Sequence, residues 1–470
     1  MKRALSLATA VILLISIICS CQIFVFAEPD DSKALYTVTE EVYADAYMLV
    51  DLADAENPII AQKNPSAKKF PASLTKIAVA MVIINNANSL EDEATVSQKA
   101  IDLLKDTGAQ AAGLKVGDSV TVDKLLQLIL VYSACDASNV AAEYIAGSID
   151  SFVGMMNDWA KSVGCTGTNF VNCTGLHDDN HYSTANDLML MTLAALKNPV
   201  FCDYSANKSV TYGGNTFLHT NLMLNSKSSA YYYEYASGIK TGTTKEAGNC
   251  VITKADKGDY SYLAIVLDSP AKKINGSTLK GSFVDAKTLF EWAFNNLEKS
   301  AVLRQDGVVA EIPVKKGKGA DAVGIGPSED IYALLPSSYD TEAVKTEPVG
   351  APELMVAPIT KGDRVCTANI SYNGKIIKTV DLVALQSIEK PLILKILDAI
   401  GAFFRNKIVK AIIITAVLLF VLWFIIRVIR VRQAKKRAAE RRRRLQQQRR
   451  RRQQAARQAN AVRRPPPDDM

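Results

Sequence analysis

The pattern of apolar and polar positions changes character several times along the chain. Near the N-terminus, Tyr47-Met48-Leu49-Val50 and Pro58-Ile59-Ile60-Ala61 flank the turn-rich Asp54-Ala55-Glu56-Asn57, which predicts a β-hairpin. Pro71 then opens a helix in which Ile77, Val79, Met81, Val82 and Ile83 leave no polar face, so it should be central and buried. Residues 90–147 read as helices with short loops, and 122–131 is strongly apolar. Helical patterns recur at 152–163 and 185–197. After Tyr231 the period shortens: 249–254 and 260–267 alternate around Asp256-Lys257-Gly258-Asp259, a hairpin turn, and 284–297 returns to helix. A helical block is thus inserted between an N-terminal hairpin and later strands. This predicts one α/β (α+β) domain over 34–297 whose sheet is built from both ends of the segment.

Residues 301–385 carry short β-type runs punctuated by Gly317, Gly319, Gly324 and Gly326, with a hairpin over 369–379 turning at Asn373-Gly374. That is a small β-rich domain. Residues 391–407 have a helical period and suit a membrane surface.

Both ends of the chain point to a membrane. Met1-Lys2-Arg3 precedes 24 uncharged residues ending in Val25-Phe26-Ala27, a secretory signal over 1–27 with Glu28 as the mature start. Ile18-Cys19-Ser20-Cys21 only faintly resembles a lipoprotein box. A second apolar segment has 16 uncharged residues, 411–426, and extends past Lys410 and Arg427 to about 20 residues over 408–429, enough for one transmembrane helix. The alternative, a buried core helix, fits poorly with the basic tail that follows.

Composition sharpens this division. The formal net charge of the 470 residues is +7. From Arg427 onward there are 17 Lys+Arg against 3 Asp+Glu, a net of +14, so the rest carries 38 − 45 = −7. The folded body is therefore not that of a nucleic-acid-binding domain, and no nucleic-acid partner is expected. The positive-inside rule places the tail, 430–470, in the cytoplasm and the body outside the cell membrane. Its charge would draw it to anionic lipid or to cytoplasmic proteins. No two of the eight cysteines have CxxC spacing, which argues against zinc and thioredoxin chemistry; free thiols are expected in the body. His177 and His181 are four apart, but in a Gly- and Asp-rich loop without the glutamate of a metalloprotease helix, so loop hydrogen bonding is expected and no metal or other cofactor.

Three short motifs carry chemistry. Ser73-Leu74-Thr75-Lys76 puts an amine over a hydroxyl at i, i+3 on the buried helix, whose N-terminus favours a developing oxyanion. A partly desolvated lysine near another cation can give up its proton near neutral pH and act as a base. Alone, this motif also describes an ordinary capped helix. Ser133-Ala134-Cys135 ends an apolar stretch, and Lys240-Thr241-Gly242 places a cation, a hydroxyl and a bare backbone edge on one strand. Ser-x-x-Lys, Ser-Asp-Asn and Lys-Thr-Gly occur together, in this order, in the penicillin-recognising serine enzymes, and here the middle set matches only at Ser133.

Pro71-Ala72-Ser73-Leu74-Thr75-Lys76 resembles the nucleophile motif of the serine-type D-alanyl-D-alanine carboxypeptidases, the low-molecular-mass penicillin-binding proteins. The similarity continues through Gly175-Leu176-His177-Asp178, His181-Tyr182-Ser183-Thr184-Ala185 and Gly238-Ile239-Lys240-Thr241-Gly242, and more loosely through 301–385. The resemblance implies a penicillin-binding/β-lactamase-like transpeptidase core: an antiparallel sheet, a helical block, and the active site between them. It implies Ser73 as nucleophile, Lys76 as its base and Ser133 as proton relay. Lys240 and Thr241, with Gly242 and Thr243 beside them, would hold the substrate, and the Ser73 and Thr243 N–H groups would form the oxyanion hole. The substrate would be a peptidoglycan stem peptide and β-lactam antibiotics covalent inhibitors. One residue departs from the pattern. Cys135 stands where the family usually has asparagine, and the amide role could pass to Asn139 or Asn221. Three other readings compete: a catalytically weak penicillin-binding wall scaffold, a DD-endopeptidase, and a β-lactamase. The last lacks its Glu-x-x-Leu-Asn motif between Ser133 and Lys240.

Overall fold

A computed structural model describes residues 34–54, 59–228, 230–274 and 276–461. The signal segment and Cys19 and Cys21 lie outside the described residues. The chain divides into two compact units: residues 1–310, 325–351 and 364–383, and residues 311–324, 352–363 and 384–470.

The heart of the first unit is a five-stranded sheet. Its strands are β1 (Ala46–Asp51), β2 (Ile59–Lys63), β3 (Ala236–Thr244), β4 (Gly248–Lys257) and β5 (Tyr260–Ser269), in spatial order β2-β1-β5-β4-β3. The N-terminal hairpin therefore pairs with the last strand of the C-terminal meander, with Leu49 opposite Ala264. Strand side chains alternate faces, and here both faces are buried. Met48, Val50, Leu263 and Ile265 point to the helical block, whereas Leu49, Val251, Ala264 and Val266 point to a helix behind the sheet. That is why these strands read as nearly continuous apolar runs.

The helical block contains α1 (Lys76–Asn86), α2 (Cys135–Ala146), α3 (Ile149–Ser162) and α4 (Ala185–Ala195). Every residue of α1 from Lys76 to Ile83 is buried, as its unbroken apolar pattern demands. The start differs from expectation: Ala72–Thr75 forms one 3-10 turn, and the α-helix begins only at Lys76. The block is also less purely helical than its sequence suggested. Glu93–Thr95 pairs with Ser119–Thr121, and Ser209–Tyr212 pairs with Asn215–Leu218 around Gly213-Gly214, two ribbons too short to show a period. Behind the sheet lies α5 (Gly281–Asn296), whose Asp285 accepts from the Tyr43 N–H at 3.0 Å and the Ser269 hydroxyl at 2.6 Å.

Beyond α5, Leu297–Leu303 pairs antiparallel with Ile331–Pro336, and Arg364–Tyr372 pairs with Lys375–Ala384. Asn373 and Gly374, with φ of 48° and 78°, close the latter hairpin in the turn that Asn-Gly favours. Tyr36 donates to the Leu334 carbonyl at 2.6 Å, and Lys375 to that of Ala34, also at 2.6 Å. In the second unit, Ala310–Lys315 runs parallel to Met355–Val356. Then come α6 (Leu392–Arg405) and α7 (Lys407–Ala461). The latter is long and apolar enough to cross a membrane, and it runs on without a break into the basic tail.

The layer behind the sheet rests on Phe290, which is fully buried and stacked on Tyr233 at 6.2 Å between ring centroids. Phe290→Ala should lower the free energy of unfolding by about 3–5 kcal/mol. Urea titration followed by tryptophan fluorescence checks this, and a loss below about 1 kcal/mol would contradict the packing described.

Candidate active site

Three segments meet at Ser73. The first is its own turn, where Ala72 is held at φ +46° immediately before the serine. A left-handed non-glycine backbone is costly and persists only where its surroundings enforce it. Here they do. A Cβ on Gly175 would lie 2.1 Å from the Ala72 carbonyl oxygen, and one on Gly242 would lie 2.8 Å from that of Pro71 and 3.2 Å from the Ser73 nitrogen. Two glycines from distant parts of the chain thus press on the turn from a loop and from the edge strand β3. Gly175 itself has φ +79°.

Lys76, fully buried as the first residue of α1, points its Nζ back to Ser73 Oγ at 3.0 Å. The same amine donates to the Thr174 carbonyl at 2.5 Å and contacts Cys135 Sγ at 3.4 Å. Asn172 shapes that carbonyl's loop: its Oδ1 accepts from the Thr174 N–H at 3.1 Å, the Thr174 hydroxyl at 3.0 Å and the Gly175 N–H at 2.7 Å.

Ser133 follows a single π-type turn, Leu128–Tyr132, and lies at φ +66°, nearly buried. Its N–H and that of Ala134 both end on the Leu128 carbonyl, which fixes the turn. Cys135 opens α2 and is buried, with its N–H on the Gln110 carbonyl at 2.8 Å. Asp136 beside it is buried too, and its carboxylate accepts from the N–H groups of Ala112, Gly113 and Leu114 at 2.8–3.0 Å. This nest of donors clamps the 110–114 loop onto the second motif.

On β3, Lys240 is fully buried and donates to the Thr241 carbonyl at 3.1 Å. Burial, and then the charge of Lys76, hold its amine well below the ordinary lysine range. Thr241 donates to the Thr220 hydroxyl at 2.7 Å, Gly242 is buried against the serine turn, and Thr243 is exposed. Neither Lys76 nor Lys240 forms an ion pair with a described residue, so two buried amines share one site without a counter-ion.

The two asparagines named as stand-ins for the missing amide are engaged elsewhere. Asn139 donates to the Ala100 carbonyl at 2.9 Å and accepts from Cys173 Sγ at 3.3 Å. Asn221 donates to the Gly238 carbonyl at 2.5 Å and to Thr253 Oγ1 at 3.0 Å, and accepts from the Met223 N–H at 3.0 Å. Neither is hydrogen-bonded to Lys76. Cys135 itself occupies the position beside the lysine.

A search for related proteins gives a consistent answer. Residues 33–271 match the D-alanyl-D-alanine carboxypeptidase family, and 297–390 match the C-terminal domain of penicillin-binding protein 5. The chain belongs to the D-alanyl-D-alanine carboxypeptidase family. It is 30% identical over 398 residues to the D-alanyl-D-alanine carboxypeptidase DacA of Escherichia coli K12, spanning 82% of this chain and 94% of that protein. DacF of Bacillus subtilis is 28% identical over 399 residues, 83% and 95% of the two chains. Among solved structures, penicillin binding protein 5 from Haemophilus influenzae superposes with a TM-score of 0.59 at 25% identity, covering 75% of this chain and 99% of that one. This carboxypeptidase is thus a serine peptidase, with the penicillin-binding fold expected from its motifs.

His181 is the functional neighbour that sequence reasoning underused. Its Nδ1 accepts from the Val171 N–H at 3.2 Å, and its Nε2 lies 2.8 Å from Thr75 Oγ1, which in turn donates to the Ala72 carbonyl at 2.7 Å. It is a buried clasp behind the Ala72–Thr75 turn, consistent with a loop hydrogen-bonding role. Its signals were its place among turn formers and in the His181-Tyr182-Ser183-Thr184-Ala185 segment of the family resemblance, neither of which gave it a role. His177 instead packs edge-on against Phe70 and pairs with Asp179. The described cysteines, Cys135, Cys165, Cys173, Cys202, Cys250 and Cys366, are free.

Two predictions follow the geometry. Burial moves the His181 pKa from 6.5 down to about 4. As the pH falls below 6.5 the unfolded chain takes up the proton first, so stability present above 6.5 drains away down to about 4, by about 3 kcal/mol for this group. Denaturant midpoints between pH 7 and 4 should show that fall, and His181→Gln should flatten part of it; an unchanged slope would remove His181 from the account. Gly175→Ala should slow acylation of Ser73 by fluorescent penicillin at least tenfold, because the new methyl must displace the Ala72–Ser73 backbone. An unaffected rate would mean that the turn does not depend on this contact.

Proposed function

We propose that this carboxypeptidase removes the terminal D-alanine from peptidoglycan pentapeptides through an acyl-enzyme on Ser73, and that β-lactams block it by acylating the same oxygen. The observation that carries the reading is the 3.0 Å contact between the Lys76 amine and Ser73 Oγ, on a turn pressed against the Lys240–Gly242 strand edge. Lys76 takes the hydroxyl proton as Oγ bonds to the penultimate carbonyl carbon. The Ser73 and Thr243 N–H groups hold the resulting oxyanion. Ser133, on its fixed turn, passes the proton to the departing D-alanine nitrogen as the C–N bond breaks. Water then cleaves the ester and restores Ser73. The substrate's terminal carboxylate supplies the negative charge that two buried amines lack, with Lys240 and Thr241 as the clamp.

The domain order extends the proposal to the cell. A signal at 1–27 exports the body, residues 34–297 are catalytic, and 301–385 form the β-rich domain. The juxtamembrane helix leads into a span at 408–429 that leaves 430–470 in the cytoplasm. An amphipathic helix followed by a long apolar one supports this arrangement.

Cys135 beside Lys76 tests how the site tolerates its missing amide. A thiol is a weak hydrogen-bond partner, and one lost amide bond is worth about 0.5–1.5 kcal/mol, or up to about 3 if a buried group is left unpaired. Cys135→Asn should therefore raise kcat/KM on a D-Ala-D-Ala peptide by between about twofold and a hundredfold. A wild type without turnover that Cys135→Asn restores would favour the scaffold reading, and a slower variant would mean that the site is built around the thiol. For the nucleophile, peptide mapping after fluorescent penicillin should place the label on Ser73, and Ser73→Ala should abolish it while the melting temperature moves by only a few degrees. A label elsewhere sinks the assignment.

A further inference from the structure

The basic tail is continuous with the span. One helix, α7, runs from Lys407 to Ala461, so its axis carries the charges away from the bilayer. With a rise of 1.5 Å per residue, Arg441 stands about 18 Å, and Arg449 about 30 Å, past the end of a span closing at Ile429. The reach of a charged lipid surface is about one Debye length, about 8 Å at physiological salt, and helix tilts average about 20°. The proximal charges, Arg430 to Arg437, fall near the headgroups. The distal arginines do not, which removes anionic lipid as their partner.

Their arrangement is regular. Arg441-Arg442-Arg443-Arg444 and Arg449-Arg450-Arg451-Arg452 are two runs of four, repeating after eight residues. At about 100° per residue the second run falls within about 20° of rows set by the first. The eight guanidinium groups therefore form four rows spaced about 90° apart, a positive collar around the whole helix. The described side chains there are exposed, and Leu445 is the single large apolar residue between the runs. A protein partner covers one face of a helix and needs apolar anchors. A membrane surface needs an apolar face opposite the charged one. This collar offers neither. Charge on every side of a rigid helix suits a polyanion that surrounds it, as the walls of a nucleic-acid groove do, and arginine forks match phosphate oxygens bidentately.

We propose that the distal helix around Arg441–Arg452 is a docking element for the phosphodiester backbone of a double-stranded nucleic acid on the tail's side of the membrane. The acidic balance of the folded body does not bear on this, because the charge is segregated to the tail.

The test uses the full chain in nanodiscs of uncharged phosphatidylcholine, with fluorescent 20-base-pair RNA and DNA duplexes read by anisotropy between 50 and 200 mM salt. Binding should fall steeply, with log K against log salt sloping by about −7 if eight phosphates are engaged. Tighter binding of one duplex identifies the source. Replacing Arg449–452 by glutamine should reduce the slope by between three and four units, whereas lysine at the same positions should keep it. Penicillin labelling of Ser73, unchanged in both variants, confirms a folded chain. No binding to either duplex at 50 mM salt overturns the proposal, as does an unchanged slope in the glutamine variant. Equal competition by polyglutamate would show an acidic-protein surface instead. Loss of duplex binding in phosphatidylglycerol nanodiscs would show that lipid holds the tail.

Discussion

The burial of Lys76 is the constraint on which the site depends. An amine removed from water costs several kcal/mol unless its donors are satisfied. Here they are met by a serine hydroxyl, a backbone carbonyl and a thiol from three separate segments, with no described carboxylate among them. That set contains no salt bridge with a described residue. It also ties the 3-10 turn, the Thr174 loop and the start of α2 to one atom. Lys240 is buried nearby, and its burial, then the charge of Lys76, hold its amine well below the ordinary lysine range.

The surrounding structure exists to hold backbone, not to supply more chemistry. Ala72, next to Ser73, and Ser133 itself both adopt left-handed conformations. Each is enforced by close contacts: Gly175 and Gly242 against the first, and the doubly used Leu128 carbonyl under the second. Asn172, Asp136 and His181 contribute from further out: Asn172 accepts from two backbone N–H groups and a hydroxyl, Asp136 from three N–H groups of one loop, and His181 from the Val171 N–H while its other nitrogen meets the Thr75 hydroxyl. Among the described residues the edge strand β3 is bonded to β4 on one side only, the kind of edge that can pair with an extended chain.

The C-terminal helix follows a different logic. The described side chains of α7 are almost all exposed, and its apolar segment, long enough to cross a membrane, and its basic segment share one unbroken helix. The spacing of its charges is therefore set by helix geometry.

Much of this was legible in the residues alone. The Asn373-Gly374 hairpin, the apolar runs of the sheet, the buried helix after Pro71 and the apolar span are local patterns, and local patterns follow from period and turn chemistry. The i, i+3 spacing likewise put the Lys76 amine over Ser73. What the sequence could not determine is which distant backbone touches which. Gly175 and Gly242 stood in recognisable motifs, but nothing in the sequence said that they lie against Ala72 and Pro71, over a hundred residues away. Asn139 and Asn221 were as plausible as Cys135 beside the lysine until packing committed their amides to Ala100 and Gly238. Asp136, which no sequence pattern singled out, is a buried anchor. Close approach and hydrogen-bond satisfaction are properties of the assembled chain, because only folding decides which donors and acceptors are removed from water together.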